Sequence, residues 1–181
     1  MDSRLPNGCT VYLVDPVLDS SVRALCLRPY PGHPKGCPNF GKKEGCPPGA
    51  PRFDWYFDMT QPVFGVVHEF DLAGHVDRMR SAHPSWSDRQ LRCVRFWQST
   101  ARKAWKAGVN EFLGSHPGYS ATACPEAMGV NITETMRRIG VDLEWPPEKV
   151  ARQVALCGVE IGGRRVWTGN RDEEEAFRDG K

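Results

Sequence analysis

The sequence predicts an α+β fold: a single mixed domain with a sheet of about five strands, packed by one long amphipathic helix and one or two short helices, with a Cys/Pro/Gly-rich loop at one edge. Three observations carry that expectation. Short apolar runs rich in β-branched residues and bounded by turn residues recur along the chain. A segment near residue 100 has two chemically distinct faces at helical spacing. Residues 26–51 hold seven prolines and five glycines, which forbid a helix and interrupt any strand.

Taken in order, strands are expected at Thr10–Val14, Val22–Leu27, Val63–Phe70 and Val154–Ile161. Gly162 and Gly163 then form a two-residue hairpin signal, with Arg165–Thr168 as the returning strand. The long helix is expected from Asp88 to Leu113, with Ser87 and Gln90 spaced as a capping box and Gly114 as its stop. At 100° per residue Leu91, Val94, Trp97, Ala101, Ala104, Trp105 and Phe112 share its apolar side, whereas Arg89, Arg92, Arg95, Arg102, Lys103 and Lys106 share the other. A second helix, Ile132 to Ile139, follows Asn131 as its cap, with Glu134 completing the capping pair and Gly140 as its end. Pro147 is placed to start a short third one. The mixed domain is expected to span residues 1–170, with the charged residues 171–181 as a frayed tail.

Composition narrows the setting. A chain of 181 residues with 40% hydrophobic residues suits one domain of ordinary size. The opening MDSRLPNGCTVYLVD lacks a basic start and apolar run, and no stretch of eighteen apolar residues occurs, so neither a signal peptide nor a membrane span is expected and the setting is read as cytoplasmic. In a reducing compartment, seven cysteines, an odd number, argue for metal ligation or buried packing over disulfides.

Three cysteines, Cys26, Cys37 and Cys46, punctuate a loop whose backbone has no regular structure to satisfy it. A metal ion or an iron–sulfur cluster would impose order on it. Cys37, Cys46 and Cys124 are each followed by proline, whereas seven cysteines and fifteen prolines in 181 residues would give fewer than one such pair by chance. Proline after a ligand removes a donor and stiffens the loop, and Cys-Pro recurs at iron–sulfur ligands. Zinc sites use tighter Cys-x2-4-Cys knuckles, whereas intervals of ten and eight residues make a wide loop. Cys26, Cys37, Cys46 and Cys124 are therefore the candidate ligands of one iron–sulfur cluster, a 4Fe-4S cubane favoured, with zinc as the alternative. If only three bind, the open iron is available to a substrate or small anion as a Lewis acid.

The motif Cys37, Asn39, Phe40, Gly41, Lys42, Cys46, Pro47, Pro48, together with CPEAMGVNITETMRRIG from Cys124 onward, resembles the predicted metal-binding proteins of the domain-of-unknown-function family DUF2284, usually taken to be iron–sulfur proteins. The two motifs touch about a quarter of the chain. The resemblance implies a cofactor and no substrate. The family places several closely spaced cysteines before the second block where this chain has only Cys124, so one cluster is expected and not two.

The other candidates read as structural. Cys157 lies in the apolar run VALCGVEI, Cys93 at the edge of the long helix's apolar face, and Cys9 at the opening of the first strand. His33 lies within the loop as a possible further ligand, and Asp54 and Asp58 sit four apart among aromatic residues that anchor the loop. No Gly-rich phosphate loop, Gly-x-Ser-x-Gly elbow or His-Glu-x-x-His occurs. Two functions from different classes remain. One is a cytoplasmic iron–sulfur protein serving electron transfer or cluster-based chemistry on a small molecule or nucleotide. The other is a structural zinc protein whose basic face, Arg89, Arg92, Arg95, Arg102, Lys103 and Lys106, binds a nucleic acid or an acidic redox partner. Lys42 and Lys43 are placed to offset the charge of a thiolate-bound cluster.

Overall fold

The computed structural model describes residues 3–30, 33–43 and 45–162. Five strands, β1 (Ser3–Arg4), β2 (Cys9–Val14), β3 (Val63–Asp71), β4 (Tyr119–Thr122) and β5 (Val150–Val159), form one sheet in the order β1-β2-β3-β5-β4, with every pairing antiparallel. Five α-helical segments accompany them: α1 (Phe53–Tyr56), α2 (Leu72–Ala82), α3 (Asp88–Leu91), α4 (Gln98–Ser115) and α5 (Ile132–Arg137).

Alternation along β3 decides which residues meet which helices. Val63 and Val67, with Val14 and Leu156 beside them, face α1, α5 and the short 3-10 helix Pro125–Met128, burying Phe53, Phe57, Met128 and Met136. Val66 points the other way, to a cluster with Cys9, Ala155, Cys157 and the α4 residues Val109 and Phe112. Farther along that second face, Ala151 joins Leu72, Val76, Leu91, Trp97 and Ala101. Each such leucine is worth about 1.5–3 kcal/mol when moved from water to the interior.

Several expectations need correction. Val22–Leu27 is no strand: Ser20–Leu27 winds as a 3-10 helix because Asp19 accepts hydrogen bonds from the amide and hydroxyl of Ser21, starting a turn, and only Val22 of the run is buried. The long helix is broken. Its capping box at Ser87 and Gln90 forms as expected, but α3 stops at Leu91, a 3-10 turn covers Val94–Phe96, and α4 begins at Gln98. Leu91 and Trp97, six residues apart, would stand about 120° apart on a continuous helix. The break lets both enter one cluster, leaves Val94 exposed, and has the Trp97 Nε1–H donate to the carbonyl of Arg92. No helix starts at Pro147. Strands β1 and β4, both short, and helix α2, whose Asp71 caps it through the amide of Gly74, were not expected from the sequence. The hairpin turn at Gly163, the strand Arg165–Thr168 and the tail 171–181 lie outside the described residues.

Cys9, His68 and Gln153 oppose one another across β2, β3 and β5, on the face that α4 covers. His68 Nδ1 and Gln153 Oε1 are buried and have no hydrogen-bond partner among the described residues. Burial holds the pKa of His68 below its usual value against the pull of Glu69, and that of His75 falls through burial and the nearby Arg78. The unfolded chain therefore takes up protons near pH 6.5 that the folded chain resists. Stability should fall as pH drops from about 6.5 towards the folded pKa values and level off below them. Thermal melts should show a shallower loss in His68→Leu than in the parent chain; an equal loss would exclude His68 as a source.

Candidate metal centre

The loop's backbone is satisfied by turns and one side chain. Cys26 sits at the end of the Ser20–Leu27 turn, and its carbonyl accepts the amide of Cys37 at 2.7 Å. Gly36, just before, has φ +81°, and a β-carbon there would stand 2.5 Å from the Cys26 oxygen, so only glycine permits this approach. The amide of Cys46 donates to the carbonyl of Lys43, Gly41 to Pro47, and Ala50 to Cys46. Arg23 pins the far end by donating through Nη2 to the carbonyls of Pro48 (3.1 Å) and Ala50 (2.8 Å).

Cys124 arrives from elsewhere. It follows β4 and caps the 3-10 helix Pro125–Met128, which is tied to the Ser20–Leu27 turn by the bond from Asp19 N–H to the carbonyl of Gly129 and by a bridge between Leu18 and Val130. That docking delivers Cys124 to the cysteine loop, 98 residues from Cys26.

Three of these thiols are held above their usual range. Burial raises the pKa of Cys26, and Cys37, Cys46 and Glu126 add repulsion. Cys46 is raised by burial and by Cys37, against the pull of Lys43. Cys124 is exposed as a residue, yet protein crowds its sulfur; that desolvation, then Glu126, Cys46 and Cys26, push the thiol up to about 11 while Arg102 opposes them. Glu126 is itself raised by burial. A cation placed among such groups favours their deprotonated forms and relieves this repulsion. Among the described residues, no group of three or more His, Cys, Asp or Glu side chains is placed to hold a metal ion.

The remaining sequence candidates fall elsewhere. Cys9 and Cys157 are buried within the sheet's second cluster, and Cys93 is half-buried at the break before α4. His33 meets the Tyr30 ring at a tilt, ring centroids 4.6 Å apart. Asp54 is paired with Arg52 at 2.8 Å, and Asp58 accepts from the amide and hydroxyl of Thr60, so both carboxylates serve local structure. The helix break divides the basic face. Arg89 lies on α3, Arg92 and Arg95 between it and α4, and Arg102, Lys103 and Lys106 on α4. Arg92 is spent on Asp88 and the carbonyl of Glu148. Sequence reasoning missed Arg23, Glu126 and Arg102 as neighbours of the cysteines, since only the tertiary fold brings them there. Among the described residues no helix is long and apolar enough to cross a membrane.

No protein-family model, curated protein or solved structure matches this chain.

In protein freed of bound metal by chelation, Cys124 should react with iodoacetamide at about pH 8 on the order of a hundredfold more slowly than the same cysteine in urea, because little of it is thiolate. Mass spectrometry of timed samples measures this; equal rates would contradict the raised thiol.

Proposed function

We propose that the protein binds one iron–sulfur cluster, a four-iron cubane favoured, through Cys26, Cys37, Cys46 and Cys124, and serves electron transfer or cluster-based chemistry on a small molecule or nucleotide. One observation carries this reading: the turn at Gly36 returns Cys37 to Cys26, and docking of the Pro125–Met128 helix on the Ser20–Leu27 turn brings Cys124 towards the same loop, whereas Cys9 and Cys157 are buried in the sheet's second cluster.

The spacing supports a cluster over zinc. Four sulfurs at about 2.3 Å from one zinc ion must crowd within about 4 Å of one another, but each thiolate of a cluster binds its own iron and stands farther off. Intervals of ten and eight residues between Cys26, Cys37 and Cys46 make a wider loop than the tight knuckles of a zinc site. When bound, the cluster supplies a one-electron relay or, with an iron left open, a Lewis acid. The chain's own residues do the rest. Gly36 lets Cys37 reach Cys26, Arg23 fixes the loop after Cys46, and Lys43 and Arg102 lend positive charge to Cys46 and Cys124.

Protein purified without oxygen should contain about four irons and four sulfides per chain, absorb near 400 nm, and contain little zinc. Cys37→Ser and Cys46→Ser should each lose most of the iron, whereas Cys93→Ser should retain it. One zinc per chain without colour, or iron unaffected by the loop replacements, would overturn the proposal.

A further inference from the structure

We infer that the face carrying the cysteine loop docks an acidic protein, with Leu25 and Leu27 at the apolar centre of the contact. The inference rests on the cysteine site proposed above and names its partner.

The two leucines flank Cys26 and are 47% and 56% exposed, and Tyr30 beyond them is 45% exposed. Within the Ser20–Leu27 turn only Val22 is buried, so these leucines contribute nothing to the core. An apolar spot of this kind beside a candidate ligand is what a docking contact requires.

Charge indicates what covers it. Residues 20–53 carry six lysines and arginines and one acid, Glu44, a net +5, against +2 for the whole chain, so the remainder sums to −3. Much of that charge is available. Arg28, Lys35 and Lys42 are exposed and form no salt bridge among the described residues, whereas Arg23 is spent on carbonyls and Arg52 on Asp54. Arg102, from α4, adds a further exposed cation near Cys124. Exposed cations in the same segment as an apolar spot complement an acidic partner with an apolar spot of its own, a combination that speeds encounter and suits a short-lived complex. The spot is mostly aliphatic, two leucines with one tyrosine, whereas single-stranded nucleic acids are held by cations and stacking on aromatic rings, which favours a protein partner.

The probes are two acidic electron carriers, a plant-type [2Fe–2S] ferredoxin and a flavodoxin, with a single-stranded RNA oligonucleotide for comparison. Each is titrated into the full chain at about 20 mM and about 300 mM salt, with iron assayed on the same samples. At least one carrier should bind at low salt, weaken tenfold or more at high salt, and bind at least fivefold more weakly to L25S/L27S and to K35E/K42E. All these substitutions lie on exposed positions, and circular dichroism checks that the variants fold. Binding to neither carrier, binding of the RNA alone, or binding unaffected by either double variant overturns the inference. Carrier binding by a chain without iron would uphold the docking face while rejecting the cluster, and iron without carrier binding would do the reverse.

Discussion

The amide of Cys37 donates to the carbonyl of Cys26 at 2.7 Å, and Gly36 beside it packs where any side chain would strike that carbonyl. Residues 26–51 hold seven prolines and have almost no regular hydrogen bonding to offer, so the loop's path is decided at this contact. Because Gly36 adopts φ +81°, the chain reverses and returns Cys37 to Cys26. Arg23 then holds the carbonyls of Pro48 and Ala50 as the chain leaves towards Phe53 in the core. Backbone turns and one guanidinium thus set the path of the loop.

The sheet performs the second half of the assembly. β3 pairs with β2 on one side and β5 on the other, and β5 carries β4, whose end leads directly to Cys124. α4 crosses the opposite face with its first turns near the same end, which brings Arg102 beside Cys124. Elements far apart in sequence supply a ligand candidate and a countercharge to one loop. The acids do not balance: half-buried Glu126 pushes the thiols of Cys26 and Cys124 further up. Such a site favours protons or metal cations over bare thiolates.

Local signals in the sequence carried far where local physics decides. The alternation of Val63–Phe70, the Asn131 cap of α5, and the Ser87–Gln90 capping box all appear in the structure. They failed where tertiary packing decides. The Asp88–Leu113 periodicity looks continuous, yet burying Leu91 and Trp97 in one cluster breaks the helix. The run Val22–Leu27 has strand-like composition, but no neighbouring strand pairs with it and Asp19 starts a turn instead. At the site, proline after cysteine and the loop's composition pointed to Cys26, Cys37, Cys46 and Cys124, and the fold ties Cys37 to Cys26 through a backbone hydrogen bond. The contributions of Arg23, Glu126 and Arg102 were invisible because no spacing in the chain encodes them.

The central claim is that these four cysteines hold one iron-containing group. Anomalous diffraction from crystals grown without oxygen, recorded on both sides of the iron edge and of the zinc edge, tests it most directly. The account predicts one group of about four iron peaks, with a separate iron within bonding reach of each of the sulfurs of Cys26, Cys37, Cys46 and Cys124, and no signal at zinc. A zinc signal there, iron bound elsewhere, or four sulfurs with no metal among them would contradict it.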